Sequence, residues 1–153
     1  MDNQPLNMAT AAETESISRA LFRWLNTWPD KPVVINYESL PADGEGMALS
    51  TIQGAYKLKE YVRGGYLGQY QFKVMYRVQP GNSNNNRLSA DETLDALGGW
   101  AAKTRPYPDI GPGKRVTKIK INSLSSVFAN YEDGSEDHQI LMTMDYSSIR
   151  KEI

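Results

Sequence analysis

His138 is the residue best suited to acid–base chemistry, because it is the only histidine in the 153-residue chain. A single imidazole excludes histidine-rich metal sites and leaves at most one proton carrier near pH 7. A Ser–His–Asp arrangement also needs a nucleophile, and no G-x-S-x-G motif accompanies this histidine. It follows an acidic turn at the start of a predicted strand, so we expect a solvated or structurally satisfied side chain. As a surface substitution, His138→Ala is expected to cost about 0.5 kcal/mol or less.

Four acidic side chains surround the turn just before this histidine, and they could in principle gather a hard cation. They are Glu132, Asp133, Glu136 and Asp137. Gly134 stands too early for a calcium-binding loop, and no bidentate acid follows at the required spacing. The sequence therefore favours a charged hairpin tip that stays in water.

Two glycine-rich stretches superficially resemble nucleotide-binding loops. In the first, Pro108 occupies the position of the first glycine of a phosphate-binding loop, and Arg115 replaces the magnesium-binding hydroxyl. In the second, residues 64–68 are followed by strand-like alternation instead of a helix. The chain also has no cysteine, so it offers no disulfide and no thiolate nucleophile. We therefore expect no catalytic centre, no cofactor and no bound metal.

One local charge asymmetry stands out in a chain whose net charge is only -1. Residues 103–120 hold a single acid, Asp109, against six basic side chains: Lys103, Arg105, Lys114, Arg115, Lys118 and Lys120. Opposite charges on separate patches of one subunit suit head-to-tail contacts that close into a ring. Two unrelated solvated faces explain the pattern equally well. These six basic residues and the four acidic residues of the turn are the candidates for a subunit interface or a ring lumen.

Composition and length limit the class of protein. The near-neutral charge gives no global field that would attract nucleic acid or an anionic bilayer. The first 15 residues are polar and acidic, without the apolar run of a secretory signal or a membrane span. We therefore expect synthesis inside the cell. A chain of 153 residues fits one domain with a core of its own.

Two amphipathic helices are predicted by apolar residues at helical spacing. The first covers about residues 11–27, with a capping box from Thr10 and Glu13, and its stripe predicts Trp24 as a core residue. Trp28 at its end is expected to be a core anchor, with an interface position as the alternative. The second begins at Ser89, after an asparagine-rich loop at 79–87, and ends near residue 100.

Short β-rich runs with turn signals predict the strands. A strand at 33–37 and a run at 49–52 precede a long hairpin at 57–78, whose turn contains Gly64 and Gly65. Three further strands are predicted at 117–121, 127–131 and 140–146. The sequence thus predicts a single α+β domain spanning 1–153, with a mostly antiparallel sheet and two helices packed on it. We expect residues 1–10 to be a polar tail and residues 103–115 to be a semi-rigid, Pro/Gly-rich arm.

The order of these elements resembles the minor capsid or tail-terminator (head–tail joining) proteins of long-tailed bacteriophages. The resemblance covers nearly the whole chain and rests on residues 25–40, 70–78, 89–100 and 131–146. It implies a structural virion protein that forms a homohexameric ring, ends the tail tube and joins it to the neck or head. The implied partners are other copies of the chain, tail-tube and neck or head-completion proteins, and DNA contacted non-specifically in the lumen. The implied location is the virion tail, assembled in the cytoplasm of a bacterial host.

A different class of function remains open at this stage. Nine tyrosines against three phenylalanines would also suit a small soluble ligand-binding or regulatory module whose Tyr-rich sheet holds a molecule. Oligomeric mass distinguishes the two interpretations, since only the first requires a ring.

Overall fold

The first helix and the first two strands build one side of the molecule. The computed structural model describes residues 8–42 and 44–149. Helix α1 spans Ala11–Leu25, and the side chain of its N-cap Thr10 accepts a hydrogen bond from the Glu13 amide. Strand β1 is short, Ile35–Tyr37, and β2 is long, Gly46–Glu60. The predicted run at 49–52 and the start of the predicted hairpin are therefore parts of one continuous strand.

The remaining elements complete a five-stranded sheet with helices on one face. Strand β3 spans Tyr66–Val78, α2 spans Asn84–Lys103, β4 spans Lys114–Asn130 and β5 spans Glu136–Ser148. The strand order is β1-β2-β3-β5-β4. Only β1 and β2 pair in parallel, and the other neighbours are antiparallel. The predicted α+β domain with a mostly antiparallel sheet and two helices is confirmed.

The core lies between the two helices and one face of the sheet. Alternate residues of β3, including Tyr70, Phe72 and Val74, are fully buried, as the strict alternation of the sequence predicts. On β5 the partners of these residues, Met144, Met142 and Ile140, are also fully buried. The α1 stripe adds Ile17, Leu21 and Leu25, and α2 adds Leu94 and Leu97. A helix-covered face and a helix-free face of the sheet follow from this packing.

Helix α2 begins earlier than the sequence predicts. Its N-cap is Ser83, whose side chain accepts from the Asn86 amide at 3.1 Å, and not Ser89. Three of the asparagines assigned to a loop are therefore helical. Arg87 explains this extension, since its guanidinium binds Glu136 on β5 at 2.6 Å and anchors the first turns to the sheet. A tertiary contact thus overrides the weak helix propensity of asparagine.

Strand β4 is also longer than predicted, because the two expected strands at 117–121 and 127–131 are one. Its pairing with β5 is irregular between Ile121 and Ser123 and again between Ser123 and Ser126. Much of this stretch is exposed on an edge strand that has a single neighbour. Apolar alternation, which predicts strands from sequence, fades where a strand faces water on an edge.

The two tryptophans at the end of α1 differ in burial. Trp28 is 3% exposed, which confirms it as a core anchor. Trp24 is only partly buried, so the prediction of a full core position is wrong. Its ring lies against Trp100 at a centroid distance of 4.7 Å, and its indole nitrogen donates to the carbonyl of Pro106 at 3.2 Å. This residue joins α1, α2 and the segment between α2 and β4.

Candidate subunit interface

Three of the six basic candidates lie on one face of the edge strand β4. Arg115, Lys118 and Lys120 pair in register with alternate β5 residues, namely Ser147, Asp145 and Thr143. All three are exposed and point to the helix-free side, because their neighbours Val116 and Ile119 are buried under the helices. None of the three takes part in an ion pair with another residue in the described ranges. They form a cationic row that lacks an internal counter-charge.

The other three basic candidates border the segment between α2 and β4. Lys103 is exposed at the last residue of α2, and Arg105 lies 3.9 Å from the centroid of the Tyr107 ring. Lys114 differs from them, because its ammonium is 3.8 Å from Glu13 and its side chain is 22% exposed. We use the name basic edge for the five without an ionic partner: Lys103, Arg105, Arg115, Lys118 and Lys120.

The predicted arm at 103–115 packs along α1. Pro108 and Ile110 are buried, and the carbonyl of Pro106 accepts from Trp24. The Tyr107 hydroxyl donates to the carbonyl of Ala102 at 3.1 Å. These contacts hold the backbone in place and present Arg105 at the surface.

Half of the acidic turn is neutralised inside the subunit. Asp137 is 1% exposed and accepts two hydrogen bonds from Arg77 of β3, at 2.7 and 2.8 Å, and a third from the Tyr131 hydroxyl at 2.7 Å. Burial alone would raise the pKa of Asp137, but the bonds from Arg77 and Tyr131 hold it below its ordinary value. Arg77 also donates to the Pro41 carbonyl at 2.7 Å, so the pair ties the turn to the loop between β1 and β2.

Glu136 is likewise internal, whereas the tip of the turn is exposed. Glu136 is 6% exposed and binds Arg87. Glu132 and Asp133 are in water, and hydrogen bonds from Ser135 lower the pKa of Asp133. The expectation that all four acids face water is therefore wrong for Glu136 and Asp137. The physical reason is that β5 begins at Glu136, four residues before the first apolar residue of that strand, and carries both carboxylates to arginines on neighbouring elements.

His138 is fully buried, so the expectation of a surface substitution is wrong. Its Nδ1 lies 2.8 Å from Asp91 of α2, and its Nε2 lies 3.3 Å from Glu136. Asp91 also accepts from the Ser125 hydroxyl of β4 at 2.7 Å. The acid therefore stands between serine and histidine, whereas a catalytic triad places the histidine in the middle. This cluster joins α2 to β4 and β5. The expectation of a structurally satisfied histidine holds for Nδ1, whereas the buried Nε2 makes no hydrogen bond to the described residues.

Four of the tyrosines are structural. Tyr66, Tyr70, Tyr76 and Tyr146 all lie on the helix-covered face and are at most 8% exposed. The Tyr70 hydroxyl contacts those of Ser18 and Thr51, each at 2.7 Å, while Tyr66 and Tyr146 both donate to Glu13. Burial, together with the bond to Glu13, raises the pKa of Tyr66 to about 12. Tyr66, Tyr70 and Tyr146 therefore hold α1 on the sheet.

Across residues 8–42 and 44–149, histidine, aspartate and glutamate side chains do not assemble in groups of three or more with the geometry to hold a metal ion. Within the part of the chain that is described, neither helix combines the length and the apolar character needed to cross a bilayer.

Comparisons with known proteins locate the fold. A chain of a solved structure described as the virion of a native gene transfer agent particle superposes with a TM-score of 0.62. The match covers 91% of this chain and 100% of that chain, at 9% sequence identity. At that identity the likeness shows a shared fold. A second solved chain is 13% identical, with 94% and 99% coverage, but its TM-score of 0.43 is too low to support an argument.

Sequence comparison adds no family. No protein-family model matches the chain, and no curated protein matches it. The fold likeness therefore stands on three-dimensional superposition alone.

The structure separates the ten candidates in a way that the sequence did not predict. Arg115, Lys118 and Lys120 of the basic edge lie in the first half of β4, and the exposed acids lie in the turn after it. About ten residues of strand, or roughly 30 Å, separate Lys120 from that turn. The sequence analysis did not identify Arg77, Arg87 and Asp91. The two arginines pair with the buried acids Asp137 and Glu136, and Asp91 contacts His138. Arg77 carries one signal, a position on the polar side of an alternating strand, but nothing local shows which strand lies beside it.

Proposed function

We propose that this protein is a structural component of a phage-like virion, where copies form a ring that ends the tail tube and joins it to the neck or head. The observation that carries the proposal is the likeness to a chain of a gene transfer agent virion. That likeness covers all of the other chain and nearly all of this one. A match over a whole domain argues for the same kind of building block, although fold alone does not assign a role.

The surface supports an assembly role. A closed ring of identical subunits needs two different patches on each copy, because each contact is head-to-tail. The basic edge is one such patch, since its five cations have no carboxylate within ion-pair distance in the described ranges. Such a patch is available to a neighbouring subunit or to the backbone of DNA passing through the ring.

The tip of the β2–β3 hairpin offers another surface. Leu58 and Tyr61 are 52% and 46% exposed, and Val62 at the turn is fully exposed. Three large apolar side chains at the end of a projecting hairpin are typical of a protein contact. We assign this tip to the adjacent layer of the particle, either the tail tube or the neck.

The ligand-binding alternative has weaker support. It invoked a Tyr-rich sheet that holds a small molecule, and four of the nine tyrosines, Tyr66, Tyr70, Tyr76 and Tyr146, lie under the helices. Their hydroxyls are hydrogen-bonded to residues of α1, of β2 and of the loop before β2.

The test is a density map of the assembled particle together with deletion of this chain. We expect a closed ring, a hexamer, at the end of the tail tube, and particles with unjoined heads and tails of irregular length after deletion. A map that shows a single copy outside any ring would overturn the proposal, as would complete particles without the chain. The isolated protein does not replace this sample, because the proposed ring need not close until its subunits reach the growing tail.

A further inference from the structure

The two edges of the sheet carry opposite charge. The strand order places β1 at one edge and β4 at the other, with three strands between them. Four spacings of about 4.8 Å separate the two edge strands by roughly 19 Å. The basic edge lies on the β4 side. On the β1 side, the described residues 28–42 and 44–46 hold three acidic residues against one lysine.

The acids on the β1 side are placed at the surface. Asp30 precedes β1, Glu38 follows it and Glu45 stands just before β2, and all three are exposed. Glu38 accepts from the Ser50 hydroxyl at 3.0 Å and the Thr51 amide at 2.7 Å. None of the three makes an ion pair with any residue in the described ranges. We call these residues the acidic edge.

Exposed apolar side chains accompany each edge. Val34 and Tyr37 lie beside the acidic edge at 64% and 44% exposure, and Leu124 and Phe128 continue β4 at 62% and 42%. Interfaces between proteins combine an apolar centre with a charged rim, and complementary charge sets their register. Each edge therefore has both parts of an interface.

Contact through side chains fits these edges better than strand addition. The pairing of β4 with β5 is irregular at four points, and Lys118 and Lys120 are exposed on β4. Bulges and lysines are the features by which edge strands resist pairing with another strand. Strand β1 has only three residues to offer. Charged and apolar side chains are what the two edges present to each other.

We propose that the acidic edge of one subunit binds the basic edge of the next copy of this chain. The inference rests on the proposed ring and names its contact surfaces. It replaces the acidic hairpin tip as the partner of the basic edge, because Glu136 and Asp137 are used within the subunit. Two opposite patches on opposite sides of one sheet are what a head-to-tail ring requires.

The test exchanges charge between the edges. The first variant, Arg115→Glu with Lys120→Glu, gives the β4 row of Arg115, Lys118 and Lys120 a net negative charge, so that this row and the acidic edge have the same sign. The second, Asp30→Lys with Glu45→Lys, makes both edges basic. Lys114 is left unchanged because it contacts Glu13, and Lys118 because it lies opposite Asp145. Circular dichroism and melting temperature of each purified variant verify folding, and Asp30→Lys alone replaces the second variant if Glu45→Lys perturbs Tyr76.

Each variant alone is expected to lower the yield of complete particles at least tenfold, since the β4 row and the acidic edge that faces it then carry charge of the same sign. Co-expression of the two is expected to restore the yield, because alternating copies bring opposite charges together again. The matched control reverses the exposed tip, Glu132→Lys with Asp133→Lys, and is expected neither to lower the yield nor to rescue the first variant.

The outcomes separate this inference from the proposed function. Rescue of the first variant by the tip variant, or full yield from both edge variants in particles that contain the ring, would overturn the edge contact and leave the ring intact. Particles whose maps contain no ring of this chain would overturn both the edge contact and the proposed function.

Discussion

The acidic turn and the basic edge are equally prominent clusters of charge in the sequence. In the fold they differ, because charges of the turn are paired whereas those of the basic edge are not. Two of the four acids in the turn are buried in ion pairs with Arg77 and Arg87. Five of the six cations between residues 103 and 120 have no ionic partner in the described ranges. The turn therefore stabilises the subunit, whereas the basic edge is available for a partner.

This difference follows from position in the sheet. Strand β5 is internal, so the carboxylates at its start have β3 on one side and β4 on the other. A carboxylate that is taken out of water needs a counter-charge and hydrogen bonds, which Arg77, Arg87 and Tyr131 provide. Strand β4 is an edge strand, so its lysines keep their hydration and need no partner inside the subunit.

The largest effect is expected from the buried pair. Asp137→Asn should lower the free energy of unfolding by about 3 kcal/mol, because it leaves the Arg77 charge without its counter-charge. Urea unfolding at pH 7 measures the loss. Glu132→Gln is the matched control, since it removes one charge from the same turn at an exposed position and should change stability by no more than about 0.5 kcal/mol. Equal effects of the two variants would contradict the distinction between buried and exposed acids.

His138 is buried, as Asp137 is, so its substitution should also lower the stability of the fold. His138→Ala should cost about 1–3 kcal/mol, since it leaves the Asp91 carboxylate without the imidazole and opens a void under α2. Thermal unfolding measured beside Glu132→Ala gives the difference. An unchanged melting temperature would show that the cluster of Asp91, Ser125 and His138 contributes nothing to stability.

Low pH should weaken the stabilising ion pair in the acidic turn and should leave the charges of the basic edge unchanged. The pKa of Asp137 is lower in the folded protein than in the unfolded chain, where it is about 3.9. Its contribution is therefore present above pH 4 and is lost as the pH falls through the folded value. We expect the unfolding free energy to fall below pH 4 more steeply in the natural protein than in Asp137→Asn. Parallel pH profiles of the two proteins would refute this linkage.

The smallest effect on folding is expected at the basic edge. Arg115→Glu with Lys120→Glu should change the free energy of unfolding by about 0.5 kcal/mol or less, because both side chains are exposed and unpaired. Raised salt should weaken ring closure in the natural protein through screening. Differential scanning calorimetry and particle yield give the two readings. A large loss of stability would show that these cations stabilise the fold, and it would contradict their assignment to an interface.

The elements that the sequence predicts well are those whose pattern is local. The alternation at residues 70–78 and the apolar stripe of α1 follow from periods of two and 3.6 residues, and both are confirmed. The start of α2 and the continuity of β4 were missed because their causes are distant. Arg87 extends the helix by binding Glu136, 49 residues away, and the polar middle of β4 is held by pairing with β5.

The sequence by itself determined the class of the fold, the two buried faces, the scarcity of acid–base groups and the presence of opposite charges in one neutral chain. Only the tertiary structure decided which of those charges remain available. Side-chain period and turn chemistry are local properties that a chain displays along its length. Which strand lies beside which is a long-range property, and here it buries Asp137 against Arg77 while it leaves Lys118 and Lys120 at an edge. A charge is neutralised by its neighbours in space, and the order β1-β2-β3-β5-β4 sets those neighbours.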